Sequence, residues 1–82
     1  MTMLAVFRSR AQSLEFISVL KSAGVPVQAV NTPKDAGVGC GISAKFDERF
    51  LPRVRTALTQ KRYSSFAGLM KQTQNGFFYL KT

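Results

Sequence analysis

The sequence predicts an α+β fold: a ferredoxin-like two-layer sandwich of order β-α-β-β-α-β with an extra C-terminal β-hairpin strand. Short apolar or alternating segments typical of strands are separated by two longer segments with helical periodicity. Asn75-Gly76 near the C-terminus is typical of a tight turn between strands. Short connections and right-handed crossovers favour the split β-α-β arrangement. With 82 residues, the chain is expected to form one domain over residues 1–82.

The first strand and helix have clear sequence signals. Residues 3–7 are apolar on both faces, which suits a central strand. Ser9 and Gln12 fit a capping box at the start of a helix, in which Gln12 reaches back to the cap. Gly24 and Pro26 predict where this helix ends. Its predicted apolar face consists of Ala11, Leu14, Ile17, Val19 and Leu20.

The next two strands flank a loop. Val25–Val30 is predicted to be an edge strand, because Pro26 has no N–H to donate to a neighbour. Residues 31–37 have the composition of a loop. From Gly41 to Phe46 apolar and polar residues alternate, which predicts a half-buried strand. We expect this strand to lie beside the first one at the centre of the sheet.

A second helix follows Asp47, which is a suitable N-cap. Pro52 conflicts with a helix that starts at residue 48, because its ring removes a backbone hydrogen bond. Either the first turn is irregular or the regular helix begins nearer residue 50. The apolar stripe of this helix is predicted to be Phe50, Leu51, Val54, Ala57 and Leu58.

The last third is predicted to be a hairpin. Tyr63 to Gln74 has the pattern of an extended segment, and Phe77 to Lys81 that of a return strand. A short helix from Ser65 to Lys71 is the alternative.

Composition and charge exclude several classes of function. The chain has no histidine and one cysteine, so it lacks the commonest zinc ligand and cannot form an internal disulfide. We expect no metal and no cofactor, because the only carboxylates are scattered along the chain: Glu15, Asp35, Asp47 and Glu48. No segment is long enough to span a membrane, and a free thiol without a secretion signal indicates a cytoplasmic protein.

The chain is strongly basic, with 12 Lys and Arg against 4 Asp and Glu and a formal net charge of +8. This balance favours an anionic partner, which could be nucleic acid, an acidic protein surface or a small anion. The alternative is that the charge only keeps the protein soluble.

Cys40 is the strongest candidate for a functional residue, since Gly39 and Gly41 leave its thiol accessible and its neighbouring amides bare. Cations at Lys34 and Lys45, and a nest of glycine amides, would favour the reactive thiolate, while Asp35 would oppose it. The alternative is a small buried cysteine at a strand start. One cysteine without histidine excludes dithiol redox catalysis within the chain and a histidine-dependent hydrolase. What remains is carrying sulfur or selenium, or sensing oxidants.

Four short motifs carry a family resemblance over roughly residues 3–60: Phe7-Arg8-Ser9, residues 21–26 (Lys-Ser-Ala-Gly-Val-Pro), Thr32-Pro33-Lys34 and residues 40–43 (Cys-Gly-Ile-Ser). The chain resembles a small bacterial family of unknown function described as selenium/sulfur carrier-like. The resemblance implies a carrier more than an enzyme, which works with a sulfur- or selenium-donating enzyme. It implies an adduct on Cys40, stabilised by a loop of Thr32, Pro33, Lys34, Gly39 and Gly41. Lys34 stands where the family pattern has Arg, so bidentate anion recognition is not expected.

A basic binding module is the rival interpretation. Its basic patch is Arg49, Arg53, Arg55, Lys61 and Arg62, and its stacking aromatics are Tyr63, Phe66, Phe77, Phe78 and Tyr79. Arg49 and Arg53 would share a face if the helix includes residue 49. Sheets of this topology can bind single-stranded RNA or DNA on exposed aromatics. The aromatics could instead complete the core, or the last strand could pair with a second copy in a homodimer.

Overall fold

The computed structural model describes residues 1–37 and 41–80. They form β1 (Thr2–Phe7), α1 (Arg10–Ser22), β2 (Gln28–Asn31), β3 (Ile42–Asp47), α2 (Leu51–Gln60), β4 (Phe66–Thr73) and β5 (Gly76–Tyr79). The five strands make one antiparallel sheet of order β2-β3-β1-β4-β5. The predicted α+β class is confirmed, and the arrangement is consistent with a ferredoxin-like sandwich. The alternative helix at Ser65–Lys71 is wrong, because β4 pairs with β1 and β5.

The two helices cover one face of the sheet. Alternate residues of β1 (Met3, Ala5 and Phe7) point to this face and are fully buried against α1 and α2. The ring of Phe7 lies 5.2 Å from that of Phe16 and 5.4 Å from that of Tyr63, measured between centroids. An aromatic cluster therefore fixes α1, and the segment that follows α2, on β1, the middle strand.

The start and end of α1 follow the prediction more closely than its faces do. Ser9 Oγ accepts a hydrogen bond from the backbone N–H of Gln12, but the Gln12 side chain accepts from the backbone N–H of Ser65 instead of reaching back. The predicted apolar face is right at Ile17 and Leu20 but wrong at the exposed Ala11, Leu14 and Val19. The buried face is Ser13, Phe16, Ile17 and Leu20, because the larger Phe16 sets which side packs on the sheet.

The second strand lies at an edge of the sheet, as predicted. It begins at Gln28, later than predicted, and ends one residue beyond Val30. The entry to α2 is irregular, as the proline conflict indicated. Asp47 Oδ1 accepts from the N–H of Arg49 at 2.9 Å, a short 3-10 turn follows, and α2 starts at Leu51. Pro52 then lies in the first turn, where its missing N–H costs little.

The C-terminal hairpin is present, but its turn is one residue earlier than the sequence suggests. Thr73 pairs with Gly76, so the turn residues are Gln74 and Asn75. Thr73 Oγ1 accepts from the N–H of Asn75 and donates to the carbonyl of Gly76. The predicted Asn-Gly turn centre is therefore wrong: glycine, with a φ of +118°, opens β5 instead.

Candidate functional site

The β2–β3 loop (residues 32–41) contains every residue of the predicted carrier site. Val38, Gly39 and Cys40 lie outside the described residues, so the prediction for the thiol stays a prediction. The described part of the loop crosses the sheet face opposite the helices. Ala36 is 5% exposed there, against Leu4 and Met70. This part of the loop thus covers one face of the sheet, and the two helices cover the other.

Thr32 closes the base of this loop. Its backbone N–H donates to the carbonyl of Gly41 at 3.0 Å. Its side-chain Oγ1 lies 2.7 Å from Oγ of Ser43, which is fully buried. Pro33 then directs the chain onto the sheet, and its carbonyl accepts from the N–H of Ala36 at 3.0 Å. Thr32 and Pro33 therefore shape the loop, and Gly41 is held in a defined place.

Tyr79 fastens the far side of the loop. Its hydroxyl donates a 2.6 Å hydrogen bond to the carbonyl of Ala36. A Cβ added to Gly68 would lie 2.9 Å from the Tyr79 ring, so only glycine allows the ring to approach the strand this closely. Burial raises the pKa of Tyr79, and the positive charge of Arg8 lowers it by a smaller amount. Sequence reasoning missed this role, since the two partners are 43 residues apart.

The residues on either side of the segment 38–40 lie at the surface. Gly37 and Gly41 are both exposed, and a Cβ added at either would meet no atom within 4 Å. Gly37 has a φ of +68° and ends a short 3-10 turn that contains Lys34. Lys34 is exposed and forms no ion pair with any described residue. Thr32, Pro33, Lys34 and Gly41 are thus brought into one loop.

Positive charge and a helix N-terminus lie at the same end of the sheet. Ser13 Oγ in α1 donates to the carbonyl of Ile42 at 2.8 Å, which ties this helix to the start of β3. Val6 pairs with Ser43, so Arg8 and Gly41 both emerge two residues beyond this pair. The first turn of α1 contains no acidic residue, so no carboxylate there offsets the positive end of the helix dipole.

Lys45 lies farther from the loop base than its sequence position suggests. It pairs with Leu4 in the ladder, four residues from Gly41, which corresponds to about 13 Å along a strand. It lines a hollow with Thr2 and Asp47 near the other end of the sheet. The structure therefore gives no support to the expectation that Lys45 assists the thiolate.

The predicted basic patch is mostly engaged in intramolecular contacts. Arg49 precedes α2, so the condition for a helical face shared with Arg53 is not met. Arg49 forms an ion pair with Asp47 and lies over the ring of Phe50. The backbone N–H of Arg49 also lowers the pKa of Asp47. Arg53 donates to the carbonyl of Ala23, just after the end of α1.

Lys61 forms an ion pair with Glu15. Arg55 and Arg62, the two remaining members of the patch, form no ion pair with a described residue.

Most of the predicted stacking aromatics belong to the core. Tyr63 is buried and Phe66 packs against Phe7. Phe77 packs on the cluster beneath the β2–β3 loop. Only Phe78 and Tyr79, 53% and 39% exposed, present much of their rings to solvent. These contacts favour a structural role for the aromatics over a platform for nucleotide bases.

Neither α1 nor α2 has the length and apolar character needed to cross a membrane. Acidic side chains, within residues 1–37 and 41–80, form no cluster of three that could hold a metal ion.

Comparison with known families gave one match. The model of the family described as Putative Se/S carrier protein-like matches residues 2–66. The matched segment runs from β1 to the first residue of β4 and includes the whole β2–β3 loop, with Cys40. Searches of the curated proteins and of the solved structures returned no significant match. Nearly all of the β4–β5 hairpin, including Tyr79, lies beyond the matched residues.

Proposed function

Since the chain belongs to the Putative Se/S carrier protein-like family, we propose that it accepts and passes on sulfur or selenium as an adduct on Cys40. The observation that carries this proposal is the geometry of the loop on both sides of the cysteine. Gly37 and Gly41 are exposed with open space around them, while Thr32 and Tyr79 hold the loop in place. A carrier thiol needs this combination, because a donor and an acceptor must both reach it.

The proposed transfer needs no oxidant or reductant beyond the donor itself. The Cys40 thiolate attacks the terminal sulfur of a donor persulfide. A new S–S bond forms on Cys40, the donor S–S bond breaks, and the donor leaves as a thiolate. An acceptor nucleophile then attacks the terminal sulfur and releases the Cys40 thiolate. Selenium would be transferred by the same two steps, with a terminal selenium atom in place of the terminal sulfur. The donor is proposed to be an enzyme that carries the persulfide.

Three groups of this chain would favour the thiolate and its adduct. Lys34 is a cation in the same loop without an ion-pair partner among the described residues. Arg8 leaves the sheet at the same end as Gly41. The amides of Gly39 and Gly41 can donate to an anion, as successive backbone N–H groups do in anion-binding nests. Nearby positive charge favours the ionised form of a thiol.

The proposal is tested by loading the folded protein with a low-molecular-weight persulfide and measuring its intact mass. The expected result is a gain of one sulfur atom, which cyanide then removes as thiocyanate with recovery of the free thiol. The variant C40S should gain nothing. A K34Q variant should load more slowly, and K45Q, which removes a charge far from the loop base, should load at the wild-type rate.

Loading that occurs only in denaturant would contradict the proposal, because it would show a thiol buried in the native fold. Equal loading of wild type and C40S would do the same. A K45Q variant as slow as K34Q would show that net charge, and not the loop, determines the rate.

A further inference from the structure

An apolar groove lies between α2 and the C-terminal hairpin. The helices cover the inner strands but leave a cleft beside the outer strand, with a volume of about 460 Å³. We call it the α2–β5 groove and define it by Arg55, Leu58, Thr59, Phe66, Leu69 and Leu80. A second hollow, lined by Arg62 and Tyr63, shares Leu58 and Phe66 with it and extends it toward the C-terminal end of α2. The groove and the β2–β3 loop lie on opposite faces of the sheet, and Tyr79, which holds the loop through Ala36, also lines the groove.

The outer edge of β5, along the wall of this groove, forms no backbone ladder with another described strand. The N–H of Leu80 donates to the carbonyl of Leu69, and the register of the hairpin continues from that pair. Because main-chain groups of an antiparallel strand alternate in direction, those of Phe77 and Tyr79 point away from β4. No strand among the described residues lies on that side. Such an edge can pair with an extended segment of another chain.

Apolar surface accompanies this free edge. Phe78 lies two residues before Leu80 and therefore on the same face of the strand, and it is 53% exposed. It is the most exposed large apolar side chain in the described residues apart from Met1. A segment paired with β5 would cover Phe78 and place alternate side chains over the groove.

The charges at the rim indicate what kind of segment fits. Arg55 and Arg62 line the groove and its extension, and they are the members of the basic patch without a partner among the described residues. The chain carries a net charge of +8. A second copy would bring the same arginines and the same net charge to the interface, so charge opposes self-association here.

We propose that the α2–β5 groove docks an extended segment of an acidic partner protein by strand addition to β5. Apolar side chains of the segment fill the groove over Leu58 and Leu80, and carboxylates on the same face pair with Arg55 and Arg62. The proposal does not rest on the chemistry at Cys40, because it is argued from the helix-covered face of the sheet and the outer edge of β5.

The experiment titrates the isotope-labelled full chain with a synthetic peptide and follows backbone amide shifts by NMR. The peptide has the sequence Glu-Thr-Phe-Thr-Leu-Thr-Glu with blocked ends, so that acidic and apolar residues share one face of a strand. The expected result is saturable shifts at the amides of Phe77 and Tyr79. The double variant R55Q/R62Q should bind the peptide about tenfold more weakly, through the loss of charge-assisted contacts.

A matched variant and two other ligands make the result decisive. R10Q/K21Q removes the same charge from α1, away from the groove, and should retain the wild-type affinity. A peptide with Lys in place of Glu should not bind. Shifts of the β5 amides by this Lys peptide, or equal weakening by both double variants, would overturn the proposal. No binding of the Glu peptide would also overturn it, as would a stable dimer in sedimentation or stronger shifts at these amides with an oligothymidylate of about 10 nucleotides.

Discussion

The hydroxyl of Tyr79 and the carbonyl of Ala36 form a 2.6 Å hydrogen bond that joins the outermost strand to the β2–β3 loop. Ala36 lies four residues before Cys40 in that loop, and Tyr79 lies beyond the segment that matches the carrier family. The C-terminal hairpin therefore stabilises the loop in which the proposed carrier thiol resides. This relationship leads to the first two predictions.

The substitution Tyr79→Phe removes the hydroxyl and keeps the ring against Gly68. We expect a loss of about 0.5–1.5 kcal/mol in the free energy of unfolding, the usual net value of one hydrogen bond. Amide hydrogen exchange at Gly37 should become faster, because its neighbour Ala36 loses its attachment to β5. Denaturant unfolding and exchange measured by NMR would check both effects. Unchanged exchange at Gly37 would show that the hydrogen bond does not hold the loop.

The stability should depend on pH in the alkaline range. Burial raises the pKa of both tyrosines, Tyr63 and Tyr79, above their ordinary value, which is about 10. The folded state therefore holds these protons more tightly, and its stability is fully present below about pH 10 and falls as the pH rises through the folded pKa values. A Y63F variant leaves Tyr79 as the sole tyrosine, so phenolate absorbance then reports its pKa directly. A midpoint at or below the ordinary value would contradict the prediction.

Arg53 should matter for stability, whereas its neighbour Arg55 should not. The Arg53 guanidinium donates to the carbonyl of Ala23 beside the C-terminal end of α1, where a cation also interacts favourably with the helix dipole. We expect Arg53→Met to lose about 1 kcal/mol of unfolding free energy. Arg55→Met, on the same helix but without a described partner, should change it little. Thermal and denaturant unfolding of the two variants, measured together, separates this contact from the general effect of lost charge.

The hydroxyl of Tyr63, unlike the Arg53 guanidinium, should not contribute to stability. Its ring is buried among the core aromatics, but its hydroxyl is buried without a hydrogen-bond partner among the described residues. Tyr63→Phe should therefore leave the protein as stable or stabilise it by up to about 1 kcal/mol, since it removes an unsatisfied polar group and keeps the packing. Tyr63→Leu, which also removes the ring contacts, should destabilise it. A clear loss of stability in Tyr63→Phe would show that the hydroxyl has a partner.

Local patterns predicted the order of elements and the class of fold. Neighbouring residues were enough to predict the strand at residues 3–7, the cap at Ser9 and the irregular start of the helix at Pro52. The structure contains all three. The face of α1 was predicted only in part: Ile17 and Leu20 are buried as expected, but the tertiary position of Phe16 leaves the other apolar residues exposed.

The candidate site was only partly predictable from sequence. Local motifs identified Thr32, Pro33 and Lys34 as a loop before the cysteine. The contacts that shape this loop come from Ser43 and Tyr79, which are distant in sequence. The partners of Arg53 and Lys61 likewise depend on tertiary contacts, which composition does not contain. A count of basic residues therefore overestimated the positive surface that is free to bind a partner.

The pH dependence of Cys40 alkylation in the native protein tests the carrier proposal most directly. We predict rapid reaction with iodoacetamide without denaturant, with a midpoint well below the ordinary thiol pKa of about 8.5, and a higher midpoint in K34Q. Reaction only after unfolding, or a midpoint at or above that ordinary value, would contradict the account.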